Sequence, residues 1–219
     1  PDEFKKDWMV DAQAGTVAFG SAYHNWATSI PFMAKKNVNF KQIYDFMDNE
    51  QRKELAQAAP LHEVLLDMIV EKLPSANTAQ KYRIPHIWRG ESEEEIGQSM
   101  VHAKADGDSA FMVTKVVLDP HAGEIAVGRL FSGTIKKGDQ MYVAGMPNAN
   151  RVQSVGMFVG GDRIATETVT AGNIIAVSGL RDAQSGSTIS SNKEMTPFER
   201  IVHNSDIFKD IIRRRFPSY

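Results

Sequence analysis

Apolar and polar positions follow two different rhythms along the chain, and the rhythm changes beyond a mixed, acidic stretch. Near the start, Gly15-Thr-Val-Ala-Phe-Gly20 is a short β-branched and aromatic run between small residues, the pattern of a buried parallel strand. A loop of small residues, Gly20-Ser21-Ala22, follows it. Phe40 to Met47 and Leu61 to Leu73 then carry apolar residues at helical spacing. In the second of these, Leu61, Val64, Leu65, Met68, Ile69 and Leu73 fall on one stripe, which predicts amphipathic helices laid on an α/β layer. Pro74 ends the second helix, since proline lacks an N–H and disfavours helical geometry in the residue before it.

Ser75 to Gln98 shows no clear period and includes Glu91, Glu93, Glu94 and Glu95, so it reads as a connector between domains. Beyond it the period falls to two. Phe111 to Leu118, Ile125 to Val127, Arg129 to Phe131, Gln140 to Ala144, Arg151 to Val155 and Asn173 to Ser178 read as short strands. They are broken by Asp119-Pro120, Lys137-Gly138-Asp139, Pro147-Asn148 and Gly160-Gly161, which predicts a closed antiparallel barrel or a sandwich. Gly123, Gly128, Gly133 and Gly138 recur every fifth residue, as turn, bulge and close-packing positions in curved strands. At the far end Ser205 is placed to cap a helix bearing Ile207, Phe208, Ile211, Ile212 and Phe216, with Arg213 to Arg215 near its C-terminus.

Composition narrows the function classes. Hydrophobic residues make up 42% of the 219, enough for one large core or two small ones. No run approaches the roughly 20 apolar residues of a membrane span, and no basic-then-apolar leader opens the chain, so a cytoplasmic location is expected. Residue 1 is proline and the text begins mid-pattern, as expected of a piece of a longer polypeptide. With no cysteine there is no disulfide, thiolate metal site or thiol nucleophile. A net charge of −2 gives no global attraction to nucleic acid, so any RNA contact must be local.

Several chemical motifs can be tested and fail. Gly123 to Gly128 has the GxxxxG spacing of a phosphate loop, but Arg129-Leu130 stands where lysine and a hydroxyl are needed. His62-Glu63 opens like a zinc-binding HExxH helix, yet Leu66 occupies the second histidine position, and no side-chain metal site is expected. The serines at Gly20-Ser21-Ala22 and Ser185-Gly186-Ser187 lack a G-x-S-x-G elbow. The carboxylates of residues 91–95 read as a solvated face. Lys5-Lys6, Lys35-Lys36, Lys136-Lys137 and Arg213 to Arg215 are the basic clusters, each most simply solvated; Lys136-Lys137, at a turn tip, is the candidate phosphate contact.

Six stretches carry a resemblance. Ala126-Val-Gly-Arg-Leu-Phe-Ser-Gly-Thr-Ile-Lys-Lys-Gly-Asp139 and Val169-Thr-Ala-Gly-Asn-Ile-Ile-Ala-Val177 resemble the barrel that follows the GTP-binding domain in translational GTPases. Leu61 to Val70, Leu73-Pro-Ser75 and Ala79-Gln-Lys-Tyr-Arg-Ile-Pro85 resemble the end of that domain and its connector in the archaeal and eukaryotic elongation factor 2 family. Glu194-Met-Thr-Pro-Phe-Glu-Arg-Ile201 is similar to the start of that family's third domain, whereas the tail beyond it departs from the pattern.

The resemblance implies a multi-domain α/β + β chain: the C-terminal remnant of a P-loop GTPase α/β domain over 1–74, a connector over 75–98, and an antiparallel translation-factor β-barrel over 99–193. Residues 194–219 would begin a third domain or form an alternative helical tail. It further implies that Gly20, Ser21 and Ala22 are the last guanine-nucleotide motif, and that Lys136 and Lys137 meet ribosomal RNA. Independently of the family, small residues leaving a strand present N–H groups to an acceptor such as guanine O6 without a side chain in the way. The parent protein would use GTP or GDP with magnesium on the ribosome to move tRNA and mRNA, with no membrane or DNA partner. The chain alone lacks the phosphate-binding and magnesium-organising motifs, so no bound nucleotide and no catalysis are expected of it. Two alternatives stand beside this reading: a non-enzymatic RNA- or protein-binding barrel, or the same region of an initiation or release factor.

Overall fold

A computed structural model describes residues 9–199 except 92 and 121. The chain divides into two compact units, Pro1–Pro74 and Ser75–Tyr219.

In the first unit, β1 (Phe19–Ser21) and β2 (Trp26–Thr28) form an antiparallel hairpin with Phe19 opposite Thr28 and Ser21 opposite Trp26. Four helices follow: α1 (Ile30–Lys36), α2 (Phe40–Asp48), α3 (Arg52–Ala58) and α4 (Leu61–Lys72). Their starts are written locally. The Ser29 hydroxyl accepts from the Phe32 N–H ahead of α1, and Asn39 and Gln42 form a reciprocal capping box on α2. Ala27, Phe32, Ile43, Leu55, Ala59 and Val64 make the buried core.

Two expectations are corrected here. The run Gly15 to Gly20 is not a buried parallel strand: β1 starts at Phe19, which is exposed, and pairs antiparallel with β2. No described strand runs parallel beside it, and a strand takes the partner available to it. The stripe on α4 is also split. Val64 is buried and Leu61 and Met68 pack beside it, but Leu65, Ile69 and Leu73 are exposed, as are Leu66 (57%) and Val70 (81%). One side of α4 suffices for the small core beneath it, and a second apolar side faces outward.

The second unit opens with α5 (Ala76–Ile87) and α6 (Glu95–Val101), where the period-free text suggested a connector. Ser75 caps α5 by accepting from the Thr78 N–H, and Ile84, Trp88 and Met100 are buried with Met112, Phe131, Met195 and Phe198 in one cluster. The buried amide of Gln80 donates to the carbonyls of Met100 and Phe131, the latter at 2.9 Å. Its helical pattern escapes a periodicity reading because a glutamine, not an aliphatic residue, occupies one of the inward positions.

The strands are β3 (Ala110–Asp119), β4 (Gly123–Ser132), β5 (Thr134–Lys136), β6 (Gln140–Val143), β7 (Ala149–Arg151), β8 (Ser154–Val159), β9 (Asp162–Thr166), β10 (Thr168–Thr170), β11 (Ile174–Ser178) and β12 (Thr188–Ser190). Eight form one antiparallel sheet in the order β7-β6-β12-β3-β4-β11-β8-β9, and β5 pairs with β10. Phe111, Leu130, Ile135, Met141, Val155, Val169, Val177 and Ile189 belong to a single buried cluster, so the sheet and the two-stranded ribbon roll around one core. Arg151 to Val155 is not one strand. Val152 and Gln153 leave the ladder, Val152 exchanging bonds with Gly138 and Asp139, and the Gln153 N–H donating to the Ser178 carbonyl.

Gly128 shows why glycine is needed at one of the regular positions. It lies opposite the β3 bulge at Thr114, and an added Cβ would stand 1.9 Å from the Met112 carbonyl oxygen. Residues 194–199 fold back on the same unit: Met195 and Phe198 are buried, and the Glu199 N–H donates to the Ile87 carbonyl. The helix expected after Ser205, with Ile207 to Phe216, lies outside the described residues.

Candidate functional site

Gly20, Ser21 and Ala22 form the end of β1 and the first turn position of the hairpin. Strand geometry explains the glycine, because a Cβ at Gly20 would meet the Trp26 carbonyl oxygen at 2.4 Å. The Ser21 hydroxyl accepts from the His24 N–H at 3.3 Å, and the Asn25 N–H donates to the Ala22 carbonyl at 3.2 Å. Asn25 closes the turn with φ of 57°, a left-handed conformation that asparagine tolerates. Gly20 and Ala22 are exposed and Ser21 is half-buried. The loop therefore presents backbone without a large side chain over it, although it leads into β2 before the chain reaches α1 through the Ser29 cap.

Lys136 and Lys137 belong to the second unit. Lys136 ends β5 and Lys137 continues into the turn, both exposed. The turn is pinned by its own backbone: Lys136 N–H donates to the Asp139 carboxylate at 2.9 Å, Gly138 N–H donates to the Val152 carbonyl at 2.9 Å, and Gly138 has φ of 95°.

A third cationic position went unread in the sequence. Arg129, half-buried on β4, faces Met112 and Ile174 across the ladder and lies over the Phe131 ring at 5.9 Å. Burial among these groups, and then the nearby Arg83 charge, hold its guanidinium below the ordinary arginine range. The signal was the arginine of the Gly-Arg pair within a strand, but Arg83 lies on α5 and no local pattern couples the two. Among the described residues, no three or more histidine, aspartate or glutamate side chains gather as a metal would require. Among them, too, no helix is long and apolar enough to cross a membrane.

Residues 123–190, from β4 through β12, match the family model described as Elongation factor Tu domain 2. The antiparallel sheet is thus that of a translation-factor second domain. Over 206 residues the chain is 53% identical to Elongation factor 2 of Picrophilus torridus, covering 94% of this chain and 28% of that protein. Elongation factor 2 of Methanosarcina thermophila is 52% identical over the same shares, and that of Methanococcus maripaludis 49% identical over 208 residues, 94% of this chain and 29% of the relative. These matches cover far more of the chain than the sheet alone. The chain belongs to the elongation factor 2 family, and it spans a little over a quarter of the length of the relatives it matches.

Proposed function

We propose that the chain is the end of the GTP-binding domain and the following barrel of a protein that uses GTP hydrolysis to move tRNA and mRNA through the ribosome. The observation that carries this is the identity of 50–53% to proteins named Elongation factor 2, sustained over 94% of the chain. An unrelated RNA- or protein-binding barrel would not be expected to match through the helices before the sheet.

In this reading, residues 1–74 are the C-terminal part of the GTP-binding domain. The exposed side of α4 supports it: Leu66, Ile69, Val70 and Leu73 form an apolar surface of the kind a helix presents to a parallel sheet. Gly20, Ser21 and Ala22 then present N–H groups to the guanine base, and GTP or GDP with magnesium is held by parts of the parent outside this chain. Residues 75–98 join the domains, and the barrel over 99–193 transmits the nucleotide state to the ribosome. Lys136 and Lys137 contact phosphates of ribosomal RNA, in a cytoplasmic protein, and residues 194–219 begin a third domain.

Ala22→Asp in the full-length protein tests the base loop, because it sets a carboxylate against the acceptors of the guanine edge. GDP affinity is expected to fall at least about tenfold, roughly 1.4 kcal/mol. Unchanged affinity, with the fold intact by circular dichroism, removes Gly20 to Ala22 from the nucleotide site.

A further inference from the structure

Asp106-Gly107 is the one aspartyl-glycyl pair in the chain, and it lies in the loop between α6 and β3. The loop is tied down on both sides of the pair. Before it, the Lys104 carbonyl accepts from the Gly133 N–H at 2.8 Å and the Ala105 carbonyl from the Thr134 hydroxyl at 2.6 Å. After it, the Asp108 carbonyl accepts from the Ser132 hydroxyl at 2.8 Å, and the Ser109 N–H donates to the Ser191 hydroxyl at 2.9 Å. Between these ties Asp106 and Gly107 are exposed, and among the described residues neither the Asp106 carboxylate nor the Gly107 N–H has a hydrogen bond or ion pair. Gly107 has φ of 88°, a left-handed conformation that favours glycine, so the turn itself calls for a residue without a side chain after Asp106. A Cβ there would meet nothing nearer than the Ser99 Oγ at 3.9 Å, so the residue sits in open space.

The next such pair supplies an internal contrast. Asp108-Ser109 is also an aspartate before a small residue, and Asp108 is exposed as well. Its two carboxylate oxygens, however, accept from the Ser191 hydroxyl at 3.0 Å and from the Asn192 amide at 3.1 Å, and the N–H that follows is the one bound by Ser191. The carboxyl and the amide that would have to meet are each held elsewhere.

We propose that Asp106 is a site of spontaneous isoaspartate formation, and that the fold directs the reaction to it and away from Asp108. The Gly107 amide nitrogen attacks the carbon of the protonated Asp106 side-chain carboxyl. The new C–N bond closes a five-membered succinimide while a C–O bond breaks, and the hydroxyl leaves as water with the amide proton. Water then adds to the Asp106 main-chain carbonyl carbon, the C–N bond to that carbon breaks, and the nitrogen regains a proton. The chain now runs through the Asp106 Cβ, one methylene longer, and carries a free α-carboxylate at unchanged mass. The extra backbone atom falls between the Ala105 and Asp108 ties, so the bonds to Thr134 and Ser132 must absorb it. The product is the substrate class of S-adenosylmethionine-dependent isoaspartyl methyltransferases, which esterify that α-carboxylate.

Incubation of the full 219-residue chain in heavy-oxygen water near neutral pH and 37 °C tests this, because each ring opening leaves one heavy oxygen on the aspartate. Peptide mass spectrometry with electron-transfer fragmentation places the label and separates isoaspartyl from aspartyl, and methyl transfer from S-adenosylmethionine by such an enzyme counts the product. Label at Asp106 is expected to exceed that at Asp108 by at least about tenfold, the usual worth of even one strong hydrogen bond that Asp108 must break. In urea the excess should shrink, since only the difference between glycine and serine remains. Asp106→Glu keeps the charge but cannot close the five-membered ring, and it should abolish both the label at position 106 and the methyl acceptor. Ser191→Ala combined with Asn192→Ala should raise the label at Asp108. Absence of label at Asp106 in the folded chain, equal label at the two aspartates, or an excess that is the same in urea overturns the proposal.

Discussion

Replacing Gln80 with leucine probes the joint that binds the helices of the second unit to its sheet. Gln80 is 1% exposed, and its amide nitrogen donates to the Met100 carbonyl at the end of α6 and to the Phe131 carbonyl of β4. Leucine keeps the volume and removes both donors. The Met100 carbonyl retains the Ala103 N–H at 3.2 Å, so it loses one of its bonds, about 0.5–1.5 kcal/mol. Phe131 falls where the β3–β4 register shifts and is skipped by the ladder, so its carbonyl is left buried without this donor, about 1–3 kcal/mol. Against this, the Gln80 side-chain oxygen is itself buried without a partner, and removing it returns about 1 kcal/mol. The net expectation is a loss of about 2 kcal/mol. Gln80→Ala should lose more, about 3 kcal/mol, because it adds a cavity. Urea denaturation followed by Trp88 emission reads this directly, with Trp8 and Trp26 changed to phenylalanine in reference and variant alike; Trp88 is buried and its indole N–H donates to the Thr196 carbonyl at 2.7 Å. At a slope near 2 kcal/mol per molar urea, the leucine variant's midpoint should fall by about 1 M. An unchanged or raised midpoint refutes the reasoning.

Gly128→Ala should destabilise the second unit by at least about 3 kcal/mol in the same urea assay, since its Cβ would overlap the Met112 carbonyl at 1.9 Å and backbone must move; a loss below 1 kcal/mol would mean that the β3 bulge yields cheaply. In the first unit, the Lys36 ammonium, 2.7 Å from Glu63, holds that carboxyl below its usual 4.5. The pair's contribution is present above about pH 4.5 and lost as pH falls through the lowered value, and it is small because both groups are exposed. Lys36→Met should therefore flatten the acid limb of the first unit's stability between pH 6 and pH 3, and an unaltered limb would show that the pair contributes nothing. For Lys35, held above 10.5 chiefly by its bond to Asp67 at 2.8 Å, the contribution is present below that value and disappears at higher pH, so Asp67→Asn should remove an alkaline limb.

Much of the architecture was legible where the pattern is local. Helices over Phe40 to Met47 and Leu61 to Leu73, and strands around Val113, Val127, Met141 and Val177, follow from period and breakers alone. Thr134–Lys136, Thr168–Thr170 and Thr188–Ser190 did not, because three residues carry no measurable alternation and their pairing is decided by partners far along the chain. Gly15 to Gly20 misled for a related reason: its composition suits a parallel strand, but a strand's direction is set by its neighbours. The candidate site divides in the same way. Gly20 to Ala22 and Lys136-Lys137 were visible as short contiguous motifs, whereas Arg83 with Arg129, and Asp108 with Ser191 and Asn192, come together by folding from separate segments.

The central claim is that this sequence is the nucleotide-coupled part of a ribosomal translocase. Its most direct test is GTP turnover by the purified full-length protein, measured with and without 70S or 80S-type ribosomes from the same source. The account predicts slow turnover alone and stimulation of well over tenfold by ribosomes, lost when residues 1–74 are deleted. Turnover indifferent to ribosomes, or no GTP turnover in either condition, would contradict it.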